Sequence, residues 1–253
     1  MSGLPKSIAA QVAGQFDPRP IGNVACWFDP FDRSQLVFSA SDTAVSEFKN
    51  KGTNFVPSAF QGTGASQPAW GQRLINSAFP GLSYDSGDFM DIADHAGFDN
   101  TTQEGFIITS RTTDVGGTQG IFGKGGGFGI TTENALIVSG GDKAQFQATT
   151  NGIAAGATVI EESGSSVLGT TYLYNFYYDG TNIGLSVNGG AFVTGALASM
   201  YNGTAICQLG RTYGASFSGV LGDVIMFTKV LTVPQRMWMR QQLAKRVNLI
   251  LAK

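Results

Sequence analysis

Histidine occurs once in the 253 residues, as His95, and cysteine twice, as Cys26 and Cys207. A single histidine excludes a histidine-based metal cluster. Two distant cysteines neither match zinc-ligand spacing nor describe a disulfide framework. Two buried reduced thiols are expected, although a first strand lying beside a late one would let them meet. Charge is scarce too: 13% of residues are charged, and 16 basic against 18 acidic side chains leave a net −2. That balance carries no footprint for nucleic acid. No apolar run is long enough to span a bilayer, so no membrane insertion is expected. Gln11, Gly14 and Gln15 interrupt the apolar character of the first segment, so it does not read as a secretion signal.

What is abundant is glycine, 35 residues, in a chain that is 42% hydrophobic. That composition suits many short strands joined by tight turns and opposes disorder. Turn signals recur every ~8–12 residues, the spacing of a sandwich or barrel rather than of alternating βα units. Apolar or alternating runs mark strands at NVACWF, GLSYDSGDFMDI, GFIITSRT, GIFGKGGGFGIT, ALIVSG, AQFQATT, ATVIEES, TYLYNFYYDG and NIGLSVNGG. YYDGTNIGLSVNGG reads as a hairpin on an Asp-Gly turn. Residues 40–72, rich in Ser, Thr, Gly, Asn and Pro, read as an irregular excursion with one strand near Ala44–Phe48.

Two helices are predicted. Leu4, Ile8, Val12 and Phe16 make a drifting stripe that Pro18 and Pro20 end, so residues 1–22 read as an arm preceding a single domain over 23–253. The arm either packs back on the sheet or docks on a partner. At the other end Thr232 and Gln235 form a capping box with Pro234 in the first turn. Met239, Leu243 and Val247 then supply one buried stripe. After Asp223 the chain has no acidic residue, while Arg236, Arg240, Lys245, Arg246 and Lys253 are basic. Complementing the helix dipole accounts for them, and an acidic partner surface is the alternative.

In order, CWFDP, QPAW, GLSYDSGDFMDI, GFIITSRT, IFGKGG…FGI, YYDGTNIGLSVNGG and SGVLGDVIMFTKVLTVPQ precede a final helix. This succession, over residues 24–250, resembles the laminin-G-like, concanavalin A-like lectin/glucanase superfamily. It is also similar to modules of bacteriophage tail, baseplate or capsid-decoration proteins. The resemblance implies an all-β fold: a two-sheet antiparallel jelly-roll sandwich. The virion likeness implies a surface-exposed structural protein made in the host cytoplasm. Its arm would hold other virion proteins, it would be an oligomer, and its loops would contact host glycan or a neighbouring subunit.

The superfamily's enzymes carry acidic residues alternating along one strand, because residues two apart share a face. This chain has five glutamates, Glu47, Glu104, Glu133, Glu161 and Glu162, and none has an acidic residue two positions away. No catalytic residue is therefore assigned. The alternatives are a hydrolase whose carboxylates meet across strands and a free soluble lectin. Asp85, Asp88 and Asp91, followed by Asp94 and Asp99, suit turn chemistry better than a calcium site, so neither a metal ligand nor a cofactor is assigned. Lys124 in GKGGGFG lacks the Ser or Thr of a phosphate-binding loop, and a flexible hairpin tip is expected there. His95 reads as a loop residue. Trp27 is read as core and Trp238 as the anchor of the last helix. Trp70, Tyr201 and Tyr213 lie in Gly/Asn/Ser-rich segments and are the candidate ligand-binding residues, flat rings able to stack on a sugar.

Overall fold

The computed structural model describes residues 16–252 other than 40, 55, 100, 115, 126–132 and 213. The first strands are β1 (Val24–Phe28), β2 (Leu36–Phe38), β3 (Val45–Phe48), β4 (Ala59–Phe60), β5 (Ala69–Ile75), β6 (Phe79–Tyr84) and β7 (Met90–Ile92). Then come β8 (Gln103–Arg111), β9 (Gln119–Lys124), β10 (Asn134–Val138), β11 (Lys143–Thr149) and β12 (Ala157–Ser165). After them lie β13 (Thr171–Tyr178), β14 (Asn182–Val187) and β15 (Val193–Ala196). Last are β16 (Cys207–Leu209), β17 (Arg211–Thr212), β18 (Ala215–Ser216), β19 (Gly219–Phe227) and helix α1 (Val233–Arg246).

These form a jelly-roll sandwich of two antiparallel sheets. The front sheet runs β15-β14-β13-β8-β19-β6-β5, and β1 also pairs with β19. The back sheet runs β12-β11-β10-β9-β16-β7-β4-β3-β2, with β17 and β18 as a separate ribbon. The Asp-Gly hairpin forms as expected: Asp179 Oδ1 accepts from the backbone N–H of Thr181 and Asn182 at 2.9 and 2.7 Å, and Gly180 takes φ +99°. Within 40–72, β3 lies where the sequence places it. β4 and the start of β5 are additional, because their pairing partners are remote and no local alternation announces them.

The middle strands of the front sheet, β8, β13 and β19, are buried on both faces, which explains why they read as apolar runs. Along β8, Ile107 faces the back sheet while Phe106 and Ile108 face outward; along β19, Val224 and Met226 face in, Ile225 and Phe227 out. The outward set packs with Trp27, Trp238, Met239, Leu243 and Val247, so α1 lies over the front sheet and encloses a second core. Its start follows the predicted box, with Gln235 Oε1 accepting from Thr232 N–H at 3.1 Å. Phe16 stacks on Trp238 at 6.1 Å and meets Trp27 edge-on, and Ile21 is buried in the same core. The rest of the predicted arm stripe, Leu4, Ile8 and Val12, lies outside the described residues. Cys26 and Cys207 are free thiols buried in the core between the sheets, and burial holds both well above the usual thiol range.

Lys245 and Arg246 lie in the last turn of α1, as the dipole reading has it, but Arg236, Arg240 and Arg246 also pair with buried groups beneath the helix. Arg236 forks onto Glu104, which is 0% exposed, at 2.6 and 2.9 Å. Arg246 reaches Asp29 at 2.8 Å and Asp223 at 3.4 Å. Arg240 donates to Asn175 Oδ1 at 3.0 Å. Trp27 Nε1 donates to Asp223 at 3.0 Å, and Lys51 closes on Asp29, so the CWFDP motif is the sheet side of this network.

Candidate functional site

The aspartates after Tyr84 separate into two uses. Asp85 Oδ1 accepts from Gly87 N–H at 2.7 Å and Asp88 Oδ2 from Asp85 N–H at 2.9 Å, the turn chemistry expected of them. Burial raises the Asp88 carboxyl to about 6. Asp91 accepts from Gln208 at 2.8 Å. Asp94 and Asp99 turn instead toward Lys124.

Lys124 ends β9, with its side chain 1% exposed. Its Nζ is 2.9 Å from Asp94, 3.0 Å from Glu133 Oε2, and also bonded to Asp99. Backbone pairing builds this: Lys124 sits opposite Asn134 on β10 and Cys207 on β16, so Glu133 arrives across the hairpin. The loop after β7 brings the two aspartates. One ammonium thus serves three carboxylates. It is held charged, with its pKa pushed above the usual lysine range by Asp99, Glu133 and Asp94 against the cost of burial. Glu133 is deepest, and burial outweighs its share of the ammonium, raising its carboxyl to about 7. Its Oε1 is buried with no hydrogen-bond partner among the described residues. Among those residues no group of His, Cys, Asp or Glu is arranged to hold a metal ion. The Lys124 ammonium is the cation of this cluster.

Asp99 and Glu133 open onto a cavity of ≈310 Å³, a size within the range of small-ligand sites. Tyr178, Met200, Tyr201 and Asn202 complete its working wall. Tyr201 is half-buried and anchored by its backbone N–H to Thr149 O at 2.7 Å. Two glycines make room for its ring: a Cβ on Gly152 or Gly203 would sit 2.9 or 2.6 Å from Tyr201 Cε1. Gly203 N–H also reaches Glu133 Oε2 at 3.4 Å, tying the tyrosine loop to the charge cluster.

Of the two candidate aromatics among the described residues, Tyr201 lines this cleft and Trp70 does not. Trp70 lies on β5, an edge strand of the front sheet, rather than in a loop. Its Nε1–H is spent on Pro30 O at 3.0 Å, and its ring meets Phe38 edge-on and the Arg33 guanidinium at 5.0 Å. Tyr213 lies outside the described residues. His95 sits in the loop as expected, its Nδ1 accepting from Gly97 N–H at 2.9 Å.

The sandwich has solved counterparts. Domain 4 of AbnA, a GH43 extracellular arabinanase from Geobacillus stearothermophilus, in complex with arabinotriose, matches at TM-score 0.63 and 13% identity, covering 89% of this chain and 98% of that one. Trypanosoma rangeli sialidase matches at TM-score 0.55 and 11% identity over 87% of this chain, which spans only 33% of the sialidase. The CBM40 of Ruminococcus gnavus IT-sialidase, bound to α2,3-sialyllactose, matches at TM-score 0.51 and 16% identity, covering 61% of this chain and 92% of that module. At these identities the likeness is one of fold. No family model and no curated protein matches the sequence.

Lys124, Asp99 and Glu133 were not assigned to a site from the sequence. Lys124 was weighed only against a phosphate-loop pattern, and Glu133 only against alternation along its own strand. Carboxylates meeting across strands belong, in the sequence reading, to the hydrolase alternative; here Asp94, Asp99 and Glu133 do meet, but around an ammonium. The one available signal was the hairpin itself, which sets a lysine and a glutamate at its two ends.

The raised Glu133 carboxyl has a measurable consequence. Between its ordinary value of 4.5 and about 7 the folded protein holds a proton that the unfolded chain has released. Stability therefore falls as pH rises through that window. Urea midpoints taken from pH 4.5 to 7.5 should show this decline, to which the raised Asp88 and Asp223 carboxyls also contribute, and Glu133→Gln should reduce it. An equal slope in the variant would assign the dependence elsewhere.

Proposed function

We propose that this chain is a non-catalytic carbohydrate-binding sandwich module whose ligand occupies the Tyr201 cleft. The observation that carries the reading is the half-buried Tyr201 ring beside the partly exposed Asp99 carboxylate in one cavity. A carboxylate at the cavity wall accepts from a sugar hydroxyl. A flat ring beside it offers the apolar face of a sugar something to stack on. The structural counterparts, a domain in complex with arabinotriose and a module bound to sialyllactose, support the same reading.

Glycoside hydrolysis is the weaker reading. Its two carboxyls must flank the scissile bond about 5–10 Å apart with room for the sugar between them. Here Lys124 Nζ fills the space between Asp94, Asp99 and Glu133.

Titration of the full chain with neutral and acidic oligosaccharides by calorimetry tests the proposal. Tyr201→Ala should weaken binding about tenfold or more, the equivalent of ~1.4 kcal/mol, without changing the circular dichroism of the fold. Unaltered affinity in that variant would remove the cleft from consideration.

A finer part of the proposal places the module on the surface of a bacteriophage particle, attached to other virion proteins through residues 1–22. The order of sequence motifs supports it. Because Phe16 and Ile21 pack in the outer core, the informative deletion is 1–15. Loss of incorporation into particles by a folded deletion variant is the expected result, and normal incorporation would refute attachment by that segment.

A further inference from the structure

We infer that the Tyr201 cleft selects sugar units without a carboxylate and rejects acidic sugars such as sialic or uronic acids. This inference rests on the carbohydrate-binding reading and narrows its ligand.

The argument is one of charge and of donors. Among the described residues ten line the cavity; Asp99 and Glu133 belong to them, and none is lysine or arginine. Asp179 stands at the rim, on the turn between Tyr178 and Gly180, and its hydrogen bonds to Thr181 and Asn182 hold it below the usual carboxylate range, so it stays ionised. The nearest cation, Lys124, is 1% exposed and spends its ammonium on Asp94, Asp99 and Glu133. It has nothing left to offer an anionic ligand. Three carboxylates against one ammonium leave the cluster negative at neutral pH even with Glu133 partly protonated.

A ligand carboxylate entering this cleft would approach Asp99 and Glu133 with its own hydration lost and no donor to replace it. A sugar hydroxyl meets the opposite situation. Asp99, 19% exposed at the cavity wall, is an acceptor, and a hydroxyl donates to it. Discrimination thus comes from a repulsive element as much as from an attractive one.

Four trisaccharides carry the test, each titrated into the full chain by calorimetry at pH 7 and low salt: arabinotriose, N-acetylglucosamine trisaccharide, trigalacturonate and α2,3-sialyllactose. Only heat that disappears in Tyr201→Ala is counted, so that binding elsewhere is set aside. Arabinotriose or N-acetylglucosamine trisaccharide should bind at least tenfold more tightly than either acidic sugar. Because the rejection is electrostatic, 0.5 M NaCl should narrow that gap in the unmodified protein. Asp99→Asn combined with Glu133→Gln should narrow it further; if that variant does not fold, the salt series stands alone. Tyr201-dependent binding of an acidic sugar as tight as that of the uncharged ones would overturn the inference and leave the carbohydrate reading standing. No Tyr201-dependent binding of any of the four would overturn both.

Discussion

Replacing Lys124 by methionine should destabilise the fold by about 3–5 kcal/mol, the range for removing one partner of a buried ion pair. Methionine keeps the length of the side chain, so the loss reports on charge rather than on a void. Without the ammonium, Asp94, Asp99 and Glu133 are left facing one another. Asp94 and Asp99 retain side-chain exposures of 30% and 19%, so water relieves part of the repulsion and the lower end of the range is expected. The pH response gives the stronger signature. In the variant all three carboxyls gain affinity for protons on folding, so acidification from pH 7 to pH 5 should restore much of the lost stability. Urea midpoints at the two pH values measure this directly. A loss below about 0.5 kcal/mol, the size of an ordinary surface substitution, would mean that the cluster is solvated.

Glu104→Ala should be comparably damaging, again about 3–5 kcal/mol, because it strips a fully buried carboxylate from four donors. Those donors are Arg236 Nε and Nη2 at 2.6 and 2.9 Å, Asn175 Nδ2 at 2.9 Å and the Leu231 backbone N–H at 2.8 Å. Leu231 and Arg236 flank the first turn of α1, so Glu104 pins the helix where it meets the front sheet. The loss should concentrate in the outer core. Near-ultraviolet circular dichroism of Trp27 and Trp238 should collapse at a lower urea concentration than far-ultraviolet signal from the sheets. Glu104→Gln preserves shape and keeps one oxygen acceptor, so it should cost clearly less than the alanine variant. Equal losses in the two variants would show that the charge alone, and not packing at this position, holds the helix.

These two clusters also mark where sequence reading stops. Helix α1 was legible in full, because its capping box, its proline and its Met239, Leu243 and Val247 stripe are local features. The sandwich was legible through turn spacing and through the Asp-Gly hairpin, whose geometry needs only neighbouring residues. Glu104 and Arg236 lie 132 positions apart, and nothing local says that a basic helix face will meet a buried carboxylate. The basic run was accordingly read as a dipole effect or a partner surface. Trp70 misled for a related reason. Its polar neighbours in sequence suggest a loop, whereas pairing with Leu82 on β6 makes it a strand residue. Tyr201 stands out for its Gly- and Asn-rich surroundings, and one of those neighbours, Gly203, gives its ring room in the cleft together with the remote Gly152.

The position of β19 bears on how the chain must be made. This strand, residues 219–227, follows every other strand of the sandwich in the chain and pairs with β8, β6 and β1, so it supplies the middle of the front sheet. A ribosome extending the chain holds its partners unzipped until those residues emerge. The separations run from about 110 residues for β8 to about 200 for β1, which places the domain among topologies folding in milliseconds to seconds rather than microseconds. A chain cut before Gly219 is left with two half-sheets and no strand to join them.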